Sequence, residues 1–482
     1  MSKLKNIIKQ LSLQDFNSIY TQLVESNAEK SAFLLKFLRE KQLSDTKIME
    51  ELEVNTNAYY TLRSRLNQKI EEFLLQQMES PRTTLIKKVS TIHEIIYTKK
   101  KTIAIATLKK LEKELLDYDM SNELTIVYKS LKKLLINTSD HYVYSQLYNK
   151  HVAYMLALDK AEDVLADYFK KAGNYFLTKD ETEKMGLVLL SRELENISNL
   201  YQSHRLYVYL NCLKVYHIIY FSDTIQPKDN DETIEQIIDK VEKIFEQYYL
   251  DATYYHLKVV FEFLKLQYYT HNNQFRKAEK YYDEINNSMN HLITNFNLFS
   301  FSPYLMLLKL ERHYRLETEN TLYEENKILF EDFEIDKNNI PQYIIYASYR
   351  AICCFNIGKY EEASRWLNNL LNDLSLKKHP QTLVEIKVFL SLQYCMTRDL
   401  ELFNQLINSI QRQVRIIGKE NCLHVLYLIK IMKTIINEYK KGKTPKVNYF
   451  LSKINKNKPQ HFSPINYIQI DDSLISRINL EL

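Results

Sequence analysis

Glycine and proline are scarce, 5 and 8 in 482 residues. Hairpins, sheets and phosphate-binding loops draw their tight turns from these two residues. Their scarcity argues against a sheet-rich fold, and five scattered glycines leave no loop to cradle a phosphate. The five cysteines, Cys212, Cys353, Cys354, Cys395 and Cys422, contain no CxxC pair. An odd set without ligand spacing is expected to be reduced and buried; a shared metal or redox use of Cys353, Cys354 and Cys395 is the lesser expectation. No apolar run is long enough to span a bilayer, and no apolar signal core follows Met1-Ser2-Lys3-Leu4-Lys5-Asn6. A cytoplasmic protein with no membrane partner is the expectation. The twelve histidines lack the HExxH spacing of metal helices, and serine, histidine and aspartate occur without a nucleophile elbow. Hence no catalytic residue, metal ligand or cofactor is assigned, and the chain is expected not to be an enzyme.

What the sequence does contain is helical periodicity. From Pro341, whose fixed φ suits a helix start, Tyr343, Ile344, Ala347, Ala351, Cys354 and Phe355 fall at three- and four-residue spacing. Gly358 interrupts the pattern, and Tyr360, Ala363, Trp366, Leu367, Leu370 and Leu371 then form a second stripe. This predicts two helices joined by a tight turn. Pro303, Pro341 and Pro380 stand 38 and 39 residues apart, each opening an apolar run. A recurring interval of this length with two helices inside it implies stacked units. An earlier unit starts at Asp251 and turns before Gln274-Phe275-Arg276-Lys277-Ala278; a later one starts near Asn421 and turns at Gly442. About five units are expected between Asp251 and Phe450, with Phe403 near the place of Ala278 and Ala363.

The run Gly358-Lys359-Tyr360-Glu361-Glu362-Ala363 resembles the inter-helix turn of tetratricopeptide repeats, and Ala351 and Ala363 match the small positions where that family's paired helices approach closely. Arg350 and Cys354 depart from it, standing where the family has a leucine and a tyrosine. The resemblance implies an all-α, right-handed superhelix, an α-solenoid of helix pairs, with Ala278, Ala351, Gly358, Tyr360 and Ala363 serving repeat packing. It also implies a scaffold or adaptor that binds a protein or peptide partner. Oligomeric state is not specified.

Residues 1–80 read as an N-terminal helical domain. A helix capped at Ser44-Asp45 and carrying Ile48 and Leu52, a turn at Val54-Asn55-Thr56, and a second helix from Asn57 through Tyr60, Leu62, Leu66 and Ile70 resemble bacterial helix-turn-helix domains. In that family the second helix enters the major groove, which makes Asn57, Tyr59, Thr61, Arg63 and Arg65 the candidate DNA contacts and a transcription regulator the alternative function. Glu53 replaces the usual turn glycine, and Glu50, Glu51 and Glu53 offset the nearby cations. A packing role against the first repeat is therefore the favoured expectation for these helices.

Divergent helical repeats are expected over 81–221, a loop over 222–232, tetratricopeptide-like repeats over 233–455 and a C-terminal tail over 456–482. The net charge of +5 hides local extremes. Nine cations between Arg82 and Lys113 face only Glu94 and Glu112, Glu317–Asp336 is acidic, and nine lysines between Lys430 and Lys458 face only Glu438. Solvated helix faces account for such runs in the first instance, partner surfaces in the second. The 37 tyrosines, often paired as in Tyr248-Tyr249 and Tyr281-Tyr282, are expected to fill gaps between helices with their rings while their hydroxyls reach water.

Overall fold

The structure is a computed structural model and describes residues 4, 8, 11, 13–26, 28–40, 45–77, 80–201, 203–221, 232–249, 251–287, 302–330, 335–438, 444–470 and 474. Among them it is all-helical, with 22 α-helices and no strand. Ser44, most of the expected loop at 222–232, the turn at Gly442 and most residues beyond 470 lie outside the described residues. Two compact units divide the chain, the first Met1–Asn149 with Tyr248–Ala252, the second Lys150–Gln247 with Thr253–Leu482.

The first unit holds α1 (Leu13–Glu25), α2 (Glu29–Glu40), α3 (Asp45–Glu51), α4 (Thr56–Gln77), α5 (Pro81–Ser90), α6 (Ile92–Thr98), α7 (Lys101–Asp117) and α8 (Ser121–Leu134). Phe16, Ile19 and Leu23, then Leu34, Leu35 and Leu38, then Ile48 and Leu52, put the apolar stripes of α1 to α3 into one core with Tyr59, Leu66, Ile70 and Phe73 of α4. A second core joins Leu85, Val89 and Ile92 to Leu108, Leu111, Leu115, Leu124 and Leu131. Thr91 ends α5 and starts α6, so the apolar stripe through Leu85, Val89, Ile92 and Ile96 is divided between two helices. Ser80 caps α5 with Pro81 in the first turn. Arg82 then reaches Asp251, pairing Nε with Oδ1 and Nη2 with Oδ2 at 2.9 Å each, and donates to the Tyr118 carbonyl at 2.8 Å.

The second unit contains α9 (Asp140–Thr178), whose residues to Asn149 belong to the first, α10 (Glu181–Leu200), α11 (His204–Phe221) and α12 (Ile234–Gln247). Five pairs follow: α13 (Ala252–His271) with α14 (Phe275–Asn287), α15 (Ser302–Arg315) with α16 (Glu319–Leu329), α17 (Ile340–Asn356) with α18 (Tyr360–Asp373), α19 (Pro380–Met396) with α20 (Leu400–Ile417), and α21 (Leu423–Glu438) with α22 (Thr444–Lys456). Gly173 permits close approach of α9 to α17, since a Cβ there would lie 3.2 Å from that of Pro341.

One turn recurs through these pairs. After α17 the N–H of Lys359 bonds the Cys354 carbonyl at 2.9 Å and that of Gly358 the Phe355 carbonyl at 3.0 Å, with Gly358 at φ +79°. This crossed pair of bonds is a Schellman motif. The same two bonds close the turns at Asn273 and Glu317, and in the first unit at Glu53 and Asp119. At Arg398 the longer of the two recurs, from Asp399 N–H to the Tyr394 carbonyl, and all five residues have positive φ. Five residues past the turn in the second unit come Ala278, Leu322, Ala363 and Phe403, each buried at the start of the second helix. Ala351 is buried where α17 meets its neighbours and Tyr360 opens α18 from inside.

Eight residues before the turn stand Lys265, Lys309 and Arg350, cations at one register position of three successive pairs. Lys265, buried, pairs with Glu242 and Glu262; Lys309, buried, donates to Asn286 at 2.6 Å; Arg350 stacks over Trp366, 4.6 Å from the ring centroid. Tyrosines depart in part from the expectation that their hydroxyls reach water: Tyr168, Tyr216 and Tyr349 are fully buried, with the Tyr168 and Tyr349 hydroxyls bonded to His217 and Asn326 in the interior, while Tyr249 is exposed beside buried Tyr248.

Candidate functional site

Helix α19 is largely apolar and is buried from Val384 through Met396 except at half-buried Lys387 and Tyr394. A carboxylate in such a helix has to find donors, because an unpaired buried charge is costly. Glu385 finds three. His424 Nε2 of α21 lies 2.6 Å from its Oε1, His461 Nε2 lies 3.1 Å from the same atom, and Ser463 donates from Oγ to Oε2 at 2.6 Å. Glu385 and His424 side chains are 2% and 4% exposed, and His461 is 10% exposed. Burial alone pushes the Glu385 carboxyl up; the hydrogen bonds and charge of His424 and His461 outweigh it and hold it at about 2.

His461 and Ser463 belong to a strap that leaves α22 and crosses the first helices of three pairs, α15, α17 and α19. Its backbone is extended at Ser463 and again at Ile468, with one 3₁₀ turn, Pro464–Tyr467, between. Phe462 N–H donates to the Phe176 carbonyl of α9 at 3.0 Å, and the two rings pack at 5.7 Å. Phe462, Ser463, Pro464, Ile465 and Ile468 are buried. Beside the carboxylate a polar cleft of ≈ 260 Å³ opens between α19, α21 and the strap, lined by Gln381, Asn421, His424, Asn457, Gln460 and His461.

None of these four residues is singled out by the sequence reading. The available signal is a lone acid in a largely apolar helix, with His424 39 residues later at one repeat interval. The residues that reading does single out fare differently. Helices α3 and α4 form at the expected positions, with Glu53 at φ +50° in the turn. Tyr59 is corrected: it is 1% exposed and belongs to the core, so its ring cannot meet a base. Thr61 and Arg65 are exposed and Arg63 is half-buried; the Asn57 side chain lies outside the described residues.

In the basic stretch from 82 to 113, Arg82 is taken up by Asp251 and Lys88 by Glu114, while Lys87, Lys99, Lys100, Lys101, Lys110 and Lys113 are exposed. Within the acidic run, Glu325 pairs with Lys309 and Glu324 with Lys327. All five cysteines are buried free thiols, raised by desolvation. Among the described residues the one cluster of three potential metal ligands is Glu385, His424 and His461, and it contains no cysteine. No described helix is long and apolar enough to cross a membrane. The chain matches no family model, no curated protein and no solved structure.

Proposed function

We propose that the helix pairs from Ala252 to Lys456 are a non-enzymatic, superhelical scaffold resembling tetratricopeptide arrays, and that they bind an extended segment of a protein partner along their first helices. The observation that carries this reading is the strap. Residues 461–468 lie across α15, α17 and α19 as a bound peptide would, fastened by buried Phe462 and Ile465 and by the Glu385 carboxylate. Peptide recognition of this kind needs apolar pockets for anchors and a fixed polar group for register. The strap uses both. A partner carrying an aromatic residue, a hydroxyl and a branched aliphatic residue at the spacing of Phe462, Ser463 and Ile465 matches the face it covers.

The test is affinity capture by the purified chain and by a Ser463→Glu variant, with and without nuclease. Loosening the strap is expected to increase recovery of a nuclease-resistant protein partner. Equal recovery by both chains argues against the strap as a stand-in for a partner.

A second reading rests on α3 and α4, two helices joined by a four-residue turn with Thr61 and Arg65 outward. In it the first unit binds DNA and the pairs act as the sensor of a transcription regulator. Arg63→Ala with Arg65→Ala is then expected to weaken DNA binding and to flatten its salt dependence; no binding by the intact chain at low salt removes this reading.

A further inference from the structure

We propose that Glu385, His424 and His461 bind one divalent transition-metal ion, with zinc the ion whose ligand chemistry fits best. Oε1 of Glu385 and Nε2 of the two histidines lie within 4.8 Å of one another, and all three residues are buried or nearly so. Two imidazoles and one carboxylate are a ligand set that zinc takes in sites keeping a further position for water. Magnesium and calcium, which prefer all-oxygen shells, fit it poorly.

Three features make this a built site. The ligands come from three separate segments, α19, α21 and the strap, and are each fixed by the packing of their own backbone. Ser463 holds the far oxygen, Oε2, at 2.6 Å, which orients the carboxylate and leaves Oε1 facing both nitrogens. An outer hydrogen bond of this type positions a ligand and raises metal affinity. Finally, the cleft of ≈ 260 Å³ reaches His424 and His461 and is lined by Gln381, Asn457 and Gln460, giving the ion an entry route and room for its water.

The present Oε1 to Nε2 distances of 2.6 and 3.1 Å are hydrogen-bond lengths. Tetrahedral zinc with bonds of about 2.0–2.1 Å sets its ligand atoms roughly 3.3 Å apart, so binding requires the His424 contact to lengthen by about 0.7 Å and the His461 contact by about 0.2 Å. Because Glu385 and His424 belong to the helix pairs and His461 to the strap, the ion would fasten one to the other. The metal site needs only this side-chain geometry and holds whether or not the array binds a peptide.

The experiment is titration of the full, chelator-stripped chain with Co²⁺ followed by visible absorption, and with Zn²⁺ by calorimetry. One equivalent is expected to bind, Co²⁺ giving the ligand-field bands of a four- or five-coordinate nitrogen and oxygen site, and Zn²⁺ abolishing them. Glu385→Gln and His461→Gln should each weaken binding about 100-fold, and Ser463→Ala about 10–100-fold, since Ser463 acts only through the carboxylate. Should Glu385→Gln fail to fold, His461→Gln decides, its side chain being the most exposed of the three. Absence of saturable binding to the folded chain overturns the proposal, as does binding of unchanged affinity in His461→Gln.

Discussion

The Ser463 hydroxyl donates to Glu385 Oε2 at 2.6 Å, joining residues 78 apart in the chain at a point with almost no solvent access. Together with the His424 and His461 contacts it satisfies a carboxylate that α19 has carried into an apolar interior. Ser463 in turn caps the 3₁₀ turn of the strap by accepting from Ile465 N–H. One small side chain thus couples the register of the strap to a fixed charge on the helix pairs.

Ser463→Ala leaves Oε2 buried without that donor, a loss of about 1–3 kcal/mol. Denaturant unfolding of the two chains measures it. A difference below about 0.5 kcal/mol, the range of ordinary surface substitutions, would show that the strap contributes little to the fold.

In the first unit Arg82 and Asp251 form a two-pronged ion pair, with the Asp251 side chain fully buried and Arg82 also on the Tyr118 carbonyl. Arg82→Ala removes the forked partner of a buried carboxylate and is expected to cost about 3–5 kcal/mol. Arg82→Lys should recover only part of this, because an ammonium cannot match both oxygens. If the Arg82→Lys variant unfolds at the same denaturant concentration as the unaltered chain, the forked geometry is not what holds the pair.

Much of this architecture is written locally. Pro341 and Pro380 open helices, Gly358 closes one, and the stripes of α17 and α18 fall where periodicity places them. The turns at Glu317 and Arg398 are harder to read, because each puts a residue of low left-handed preference at positive φ. Tertiary packing of the flanking helices sets that conformation, and packing leaves no mark on a single residue. Likewise Tyr59 and Tyr60 both fit a helical stripe, and only the angle of α4 to its neighbours decides that Tyr59 turns inward while Tyr60 is 57% exposed. The Glu385 site is the least legible part, since its groups meet only after two pairs have stacked and the strap has folded back.

The positive-φ turns yield a prediction of opposite sign at two places. Glu317→Gly relieves a strained conformation and should stabilise by about 1 kcal/mol, whereas Gly358→Ala introduces it and should destabilise by about 1–2 kcal/mol. Around Gly358 a Cβ meets no atom within 4 Å, so the cost there is conformational and not steric. Thermal unfolding that moves both variants in the same direction would contradict this.

His217 is 1% exposed, with Nδ1 2.8 Å from the Tyr168 hydroxyl, and burial lowers its pKa from 6.5 to about 4. The unfolded chain therefore binds the proton first on acidification. Stability from this group is full above pH 6.5 and falls as pH drops from 6.5 toward 4, by at most about 3 kcal/mol. His217→Gln should reduce the slope of stability against pH in that window; an unchanged slope would place the acid sensitivity elsewhere.

The most direct measurement concerns the strap as a ligand. A chain truncated after Lys458 is mixed with a labelled peptide of residues 459–470, with the intact chain and a Glu385→Gln truncated chain as controls, and fluorescence anisotropy is followed. Saturable binding by the truncated chain, little by the intact chain whose face is occupied, and weakened binding by the Glu385→Gln chain is the expected result. A truncated chain that is helical by circular dichroism yet binds the peptide no better than the intact chain would contradict the scaffold reading.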